Sequence, residues 1–386
     1  MKIAILVDEL PTGSAPKIVG EEVYYLKTLG VKCDAYVLRK RDTEVPPTHA
    51  TEIKLVHLDN DLRFVKDVCG WKIPSFSFFS IYHAVYPFVL SNKASIILDQ
   101  YDAVIVHFAS TAIFASRLNL SRAKLIYYYW DPISYIFAEA YVNWSSLRSR
   151  VLSTIAFRLD RYLLRKPDAI ILPSKFHLQR LKDLTFEKSI HVVYPGTVCV
   201  REIPKERDRF VLAVARWEPG KNPFFLIKLS QKLRELGIND FEFKVVGPWK
   251  PPDLKEQFLR MIKQSNLERN FEIAGPKYGD ELSKIYLRAG CLIHMKTEAF
   301  GFPGLEAAAH GCPMVFPQCS GVTDLFLNGV HGYFPKEGDV EEYAKCVSNF
   351  LNEKLAWKMG YESWKIAKLY TWVRHANEII KTIEGI

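Results

Sequence analysis

Sulfur chemistry is nearly absent from this 386-residue chain. Its seven cysteines (Cys33, Cys69, Cys199, Cys291, Cys312, Cys319, Cys346) include no C-x-x-C pair, and their number is odd. Neither a zinc knuckle nor a disulfide framework is suggested, and a reducing compartment is the simplest home. Long apolar runs are missing too. The first, Ile3 to Val7, ends at Asp8-Glu9 and is too short for a signal-peptide core. The most apolar later stretch, residues 73–90, is broken by Pro74, Pro87, Ser75, Ser77, Ser80 and His83, and falls short of a spanning helix. A cytoplasmic location is expected, with at most peripheral contact at the cytosolic membrane face. No repeat of solenoid period is visible. Acidic residues are the scarcer charge, 43 against 52 Lys and Arg, for a net +9. An anionic partner fits: a nucleotide diphosphate, a lipid phosphate or nucleic acid on charge alone.

What is present reads as two α/β domains. The length exceeds one ordinary core, and 48% hydrophobic with 25% charged residues is globular composition. Strand patterns fall at residues 2–7, 32–38, 103–107, 124–129, 169–172 and 191–194, with helical patterns at 21–29 and 146–164. A second series follows: strands at 210–215, 242–246, 271–274, 290–294 and 313–316, helices at 224–236, 254–265, 280–288 and 304–310. Such alternation gives parallel sheets with helices on both faces. The turn-rich segment from Pro195 to Arg207 reads as an interdomain linker, and the tail from Ala356 to Ile386 as helical.

The richest stretch runs Lys296-Thr297-Glu298-Ala299-Phe300-Gly301-Phe302-Pro303-Gly304-Leu305-Glu306, on to Ala307, His310 and Gly311. A strand gives way to a glycine-rich loop, then to a short helix stopped by Gly311 and Pro313. Glycines let a backbone approach a ligand closely, and amides at a helix start suit phosphate. Glu298 and Glu306 bracket the loop; one can hold sugar hydroxyls, the other ribose hydroxyls. Elsewhere, Arg216 and Lys221 stand in a turn after the strand at 210–215. Two cations at a strand's carboxyl end can neutralise a diphosphate leaving group.

These residues resemble glycosyltransferase family 4. Glu298, Phe300, Gly301, Glu306 and Ala307 match its E-x-F-G-x-x-x-x-E-A signature. Arg216 to Lys221 is similar to its G-R-x-x-x-x-K-G segment, with Ala215 and Asn222 where glycines are common. Weaker likenesses lie at Val245-Val246-Gly247, at Ile273 to Leu282 with Lys277, and at Ser320 to Asp324, where aspartate replaces a glutamate. The resemblance implies the GT-B fold, two Rossmann-like domains facing each other across a cleft. Residues 1–197 would form the acceptor side, with a C-terminal helix at about 370–386 packing back on it. Residues 198–208 would be the linker and 209–369 the nucleotide-sugar-binding domain. It implies a retaining transferase moving a hexose, mannose or glucose, from a GDP- or UDP-linked donor to a glycan or lipid-linked acceptor. Glu298, Arg216 and Lys221 are then the catalytic residues. Glu306, Gly301, Phe302, Phe300, Gly247 and Lys277 would contact the donor, with Gly13 and Ser14 as the less typical counterpart near the diphosphate. No cofactor is implied beyond the donor, and no metal: Asp59-Asn60-Asp61 is a D-x-D triplet in a polar loop without the strand architecture such a metal site uses.

In the N-terminal half, Lys124 to Pro132 is similar to the Y-Y-C-H-F-P stretch of mannosyltransferases that extend lipid-linked oligosaccharides, as are Ser174-Lys175-Phe176 and Val192 to Gly196. Trp130 stands where the family usually has histidine. His107, ending the preceding strand, and Asp131 are the remaining candidates there. Residues 142–188 carry ten basic and four acidic residues, with apolar Leu147, Val151, Ile155, Phe157 and Leu159 between. A basic amphipathic helix can lie on anionic lipid, or pack on its own sheet. No nucleic-acid-binding motif appears. A sugar-nucleotide epimerase and a catalytically silent sugar-nucleotide-binding subunit share this architecture and stand as alternatives.

Overall fold

The structure, a computed structural model, describes residues 1–7, 14–38, 56–57, 92–135, 146–181, 184 and 188–386. Gly13, the Asp59-Asn60-Asp61 triplet and the stretch 73–90 lie outside these residues. The chain divides into two compact units. Residues Met1–Pro195 with Trp372–Ile386 form the first, and Gly196–Thr371 the second.

Among the described residues the first unit holds seven parallel strands: β1 (Lys2–Val7), β2 (Lys32–Val37), β3 (Val56–His57), β4 (Ala103–His107), β5 (Lys124–Tyr128), β6 (Ala169–Leu172) and β7 (Ser189–Val192), in the order β3-β2-β1-β4-β5-β6-β7. Ile3 to Val7, Ala103 to Val106 and Ala169 to Leu172 are wholly buried. Runs apolar on both faces need helices on both sides. The first helix, Ser14–Thr28, starts earlier than its apolar pattern suggested. Pro16 falls in its first turn, where a missing N–H leaves no hydrogen bond unmade. Short helices Ala109–Ala115 and Lys175–Leu181 were not legible in the sequence.

The second unit holds six parallel strands: β8 (Phe210–Val214), β9 (Glu242–Val246), β10 (Phe271–Gly275), β11 (Cys291–Ile293), β12 (Met314–Val315) and β13 (Gly332–Tyr333), in the order β10-β9-β8-β11-β12-β13. Both sheets are doubly wound, the order reversing at β1/β4 and at β8/β11. At such a point successive crossovers leave opposite faces of the sheet, and a crevice opens beyond the strands' carboxyl ends. The segment read as a linker, 198–208, belongs to the second unit. Arg207 fastens it by donating to the carbonyls of Tyr286, Leu287, Ala289 and His310 at 2.7–3.2 Å. The tail forms two helices, Glu353–Ala367 in the second unit and Trp372–Glu384 in the first. In the latter, His375, Ile379 and Ile383 are buried.

Candidate active site

The second unit gathers most of the expected residues at the β8/β11 switch point. Beyond β8 the chain passes through Arg216 and a single 3-10 turn, Pro219–Lys221, closed by Asn222 in the left-handed region at φ 51°. This turn carries Lys221 towards the loop that follows β11, where its Nζ contacts Oε1 of Glu298. Arg216 does not join that pair. Its guanidinium forks onto Glu218, Nε to Oε2 at 3.2 Å and Nη2 to Oε1 at 3.1 Å. Gly247, after β9, sits directly against this turn. A Cβ there would come within 1.8 Å of the Ala215 carbonyl oxygen, so only glycine fits.

The loop carrying Glu298 is held on several sides. Its backbone N–H donates to Ser320 Oγ (3.1 Å), and its carbonyl accepts from Gly321 N–H (3.1 Å). Val322 N–H donates to the Phe300 carbonyl (2.5 Å). Upstream, Glu337 accepts from Lys296 Nζ (2.7 Å) and from Thr297 N–H (2.8 Å). Gly301 then turns the chain at φ 97° into the helix Phe302–Ala309, two residues earlier than the apolar pattern indicated. Pro303 is tolerated in its first turn. The amides expected at this helix start are partly spent: Pro303 has none, and Gly304 N–H donates to the Gly301 carbonyl (3.0 Å). Phe300 is buried and meets Phe302 edge to face, ring centres 5.3 Å apart. Glu306 lies one turn along this helix and accepts from the buried Tyr286 hydroxyl at 3.1 Å. Lys277, after β10, pairs with Glu281 at 3.5 Å on the surface.

The electrostatics follow from burial. Desolvation works against the Lys221 ammonium, but the Glu298 carboxylate outweighs it and raises the lysine above its ordinary range. His294, which directly follows β11, is pushed down by burial, against the pull of Glu298. Its Nε2 is 3.4 Å from Glu298 Oε1. Sequence reasoning passed over His294, Glu218, Tyr286 and Glu337, and took Ser320 only as part of a family-like segment. Two gave a signal: Glu218 shares a turn with Arg216, and His294 is four residues before Glu298.

In the first unit the expected residues fall elsewhere. His107, expected to take part in the site, is wholly buried in the structure. Its Nδ1 accepts from Trp130 Nε1 (3.3 Å), and its Nε2 faces Glu22 Oε2 at 2.8 Å. The other Glu22 oxygen meets His375 Nε2 at 2.9 Å, while His375 Nδ1 lies 2.9 Å from the Tyr194 carbonyl. Burial works against the Glu22 carboxylate, yet the imidazoles prevail and hold its pKa at about 2. Trp130 is buried and stacks on Tyr128 at 4.8 Å. Asp131 is part-exposed, with Oδ1 3.4 Å from buried His177 Nε2. Behind it, buried Asp160 accepts from the Tyr129 hydroxyl (2.5 Å), from Ile133 N–H (2.9 Å) and from Ser134 N–H and hydroxyl (2.8 and 2.6 Å), fixing the turn that carries Trp130 and Asp131. Ser14 opens the first helix.

Comparison with known proteins agrees with this architecture. Residues 26–201 match the model of Glycosyltransferase Family 4, and residues 200–365 that of Glycosyl transferases group 1. An uncharacterized glycosyltransferase of Methanocaldococcus jannaschii is 23% identical over 229 residues, 58% of this chain and 62% of that protein. The chain spans about half the length of the curated relatives it matches. Among solved structures, sucrose-phosphate synthase from Thermosynechococcus elongatus superimposes with a TM-score of 0.78 at 16% identity, over 100% of this chain and 98% of that one. HepE of Anabaena, in complex with UDP and glucose, gives 0.73 at 15% identity over 100% of both chains. Two contiguous domain matches on two doubly wound parallel sheets place the chain in the GT-B superfamily of glycosyltransferases, a family 4 domain followed by a group 1 domain.

Proposed function

We propose that the chain is a retaining hexosyltransferase that takes its sugar from a nucleoside diphosphate. The observation carrying this reading is the contact between Lys221 and Glu298, which joins the turn after β8 to the glycine loop after β11. A cation for the leaving phosphate and a carboxylate for the sugar then stand side by side. As the bond to the sugar breaks, negative charge grows on the diphosphate and positive charge on the ring. Lys221 and Arg216 stabilise the first, and Glu298 orients the sugar through its hydroxyls. Glu306, steadied by Tyr286, takes the ribose. The acceptor hydroxyl attacks from the leaving-group side and gives its proton to the departing phosphate.

A UDP-linked glucose is the favoured donor, because HepE was crystallised with UDP and glucose. A GDP-linked mannose is the second choice, resting on the sequence likeness alone. For the acceptor, the helix Ser146–Leu163 supports a lipid-linked phosphate. Val151, Ile155 and Tyr162 are 52%, 56% and 45% exposed, and Arg150 and Arg158 lie exposed among them. Aliphatic and cationic groups on one solvent face suit an anionic membrane surface. No helix of the described residues is long and apolar enough to cross a membrane. Asp131, at the carboxyl end of the first sheet, would meet the acceptor.

The test is a thermal-shift panel of UDP, GDP, ADP and their sugars, with wild type beside Glu298→Gln and Glu306→Gln. Wild type should be stabilised most by a UDP-sugar. Glu306→Gln should lose much of that shift. Glu298→Gln should keep the shift with UDP and lose donor turnover. No shift with any nucleotide would end this reading.

A further inference from the structure

His294 has no place in the mechanism above, yet its side chain is only 5% exposed and stands beside the proposed sugar carboxylate. Its ring lies flat on Phe316, centres 4.6 Å apart and planes 16° apart. Its carbonyl accepts from the Tyr343 hydroxyl at 2.9 Å. Its Nδ1 lies 2.9 Å from the Lys296 carbonyl oxygen and 3.4 Å from the Lys296 backbone nitrogen; the shorter contact, which would otherwise set two acceptors together, favours the tautomer with the hydrogen on Nδ1. In the neutral ring Nε2 is then a bare lone pair, 3.4 Å from Glu298 Oε1. Two acceptors face each other there. The arrangement holds because Lys221 contacts the same carboxylate oxygen and supplies the missing donor.

The other charges facing the ring are few. Lys296 and Glu337 are paired with each other at 2.7 Å, which leaves Lys221 and Glu298 to decide its state. Burial and Lys221 both favour the neutral form; Glu298 and Glu337 favour the charged one. A bound diphosphate changes this balance. Lys221 turns to the phosphate, and its repulsion of the imidazole weakens. Glu298 is left without a donor, and Nε2 is the nearest atom able to provide one.

We propose that His294 is a positioning residue of the donor site: it takes one proton from solvent as a nucleoside diphosphate sugar binds, and holds Glu298 in the place that Lys221 has left. The proton comes from water and its buffer, adds to Nε2, and bridges to Glu298 Oε1; no covalent bond of the donor is involved. The inference rests on the donor-site reading above.

The experiment is calorimetric titration with UDP-glucose and with GDP-mannose at pH 7.5, in two buffers of different ionisation enthalpy. Neither diphosphate diester exchanges a proton near that pH, so a buffer-dependent heat reports the protein. Wild type should show net proton uptake. His294→Gln should bind with none, because its amide donates to Glu298 without titrating. With rising pH, affinity should fall in wild type and stay level in His294→Gln. His294→Phe, which offers no donor, should bind more weakly than His294→Gln. Equal uptake in wild type and His294→Gln, or tight wild-type binding with no uptake, overturns the proposal and leaves the donor site standing. No binding heat with either sugar nucleotide, or affinity unchanged in Lys221→Ala, overturns the donor-site reading and this inference with it.

Discussion

Replacing Gly301 by alanine tests how tightly the glycine loop is built. The residue turns at φ 97°, where a side chain is strained whatever space surrounds it. The methyl would also lie 2.8 Å from Phe316 Cζ, 2.9 Å from Cε1 and 3.2 Å from Val322 Cγ1. Neither neighbour can withdraw freely. Phe316 is buried under the His294 ring, and Val322 is pinned by its N–H on the Phe300 carbonyl. The backbone strain costs roughly 1–2 kcal/mol. Crowding of this kind adds about 1–3 kcal/mol. A control separates the two. Gly338 has a φ of 82°, and a Cβ there would meet nothing within 4 Å. Gly338→Ala should therefore show the strain alone. For a unit of this size 1 kcal/mol shifts the melting temperature by roughly 2–4 °C, so Gly301→Ala should melt about 2–12 °C below Gly338→Ala. It should also lose donor turnover, since relief of the clash moves the segment from Glu298 to Phe300. Equal melting temperatures for the two variants, with turnover intact in both, would refute the claim that this loop is rigidly packed on Phe316.

Three further outcomes are expected. Lys221→Met removes one partner of a largely desolvated pair and should cost on the order of 2–4 kcal/mol of transition-state stabilisation. That is roughly 30- to 1,000-fold in kcat/KM for the sugar nucleotide, and an equal loss in binding of a free nucleoside would redirect the residue to the base. Glu22 has its pKa lowered from 4.5 to about 2, so its contribution is present above pH 4.5 and is lost as pH falls through the folded value. The shift corresponds to about 3 kcal/mol, and the melting-temperature gap between wild type and Glu22→Gln should close below pH 4.5; a gap constant down to pH 3 would contradict the assignment. Turnover should survive EDTA, because Arg216 and Lys221 meet the leaving-group charge; loss on chelation with rescue by manganese would point back to Asp59-Asn60-Asp61.

The sequence disclosed what short-range pattern can carry. Apolar runs such as Ile3 to Val7 and Val211 to Ala213 located the central strands, and the spacing from Glu298 to Glu306 located the loop. Helix starts were misplaced where proline sits in a first turn, at Pro16 and at Pro303, because the same residue also signals a turn. Contacts across long separations left little trace. Glu22 gave a faint sign, a carboxylate on the apolar face shared with Val19, Val23 and Leu26, but its partners are 85 and 353 positions away. Trp130 read as a missing histidine; in the fold its indole N–H donates to the histidine of the neighbouring strand. The pairing of Asp131 with His177 had no local signature at all.

The buried Glu22 gains its second imidazole from a helix that lies beyond the whole second unit. The two segments bounding that unit are already joined, Thr197 N–H to the Tyr370 carbonyl at 2.9 Å. The first unit is therefore split in sequence: Glu22 and His107 come from before residue 196, and His375 from after residue 371. Without residues 372–384 that carboxylate would lie in an apolar setting with His107 as its only imidazole partner among the described residues. A stop after residue 371 would thus take a partner from the first unit and none from the second, and it is the first unit that chaperones and proteases would find.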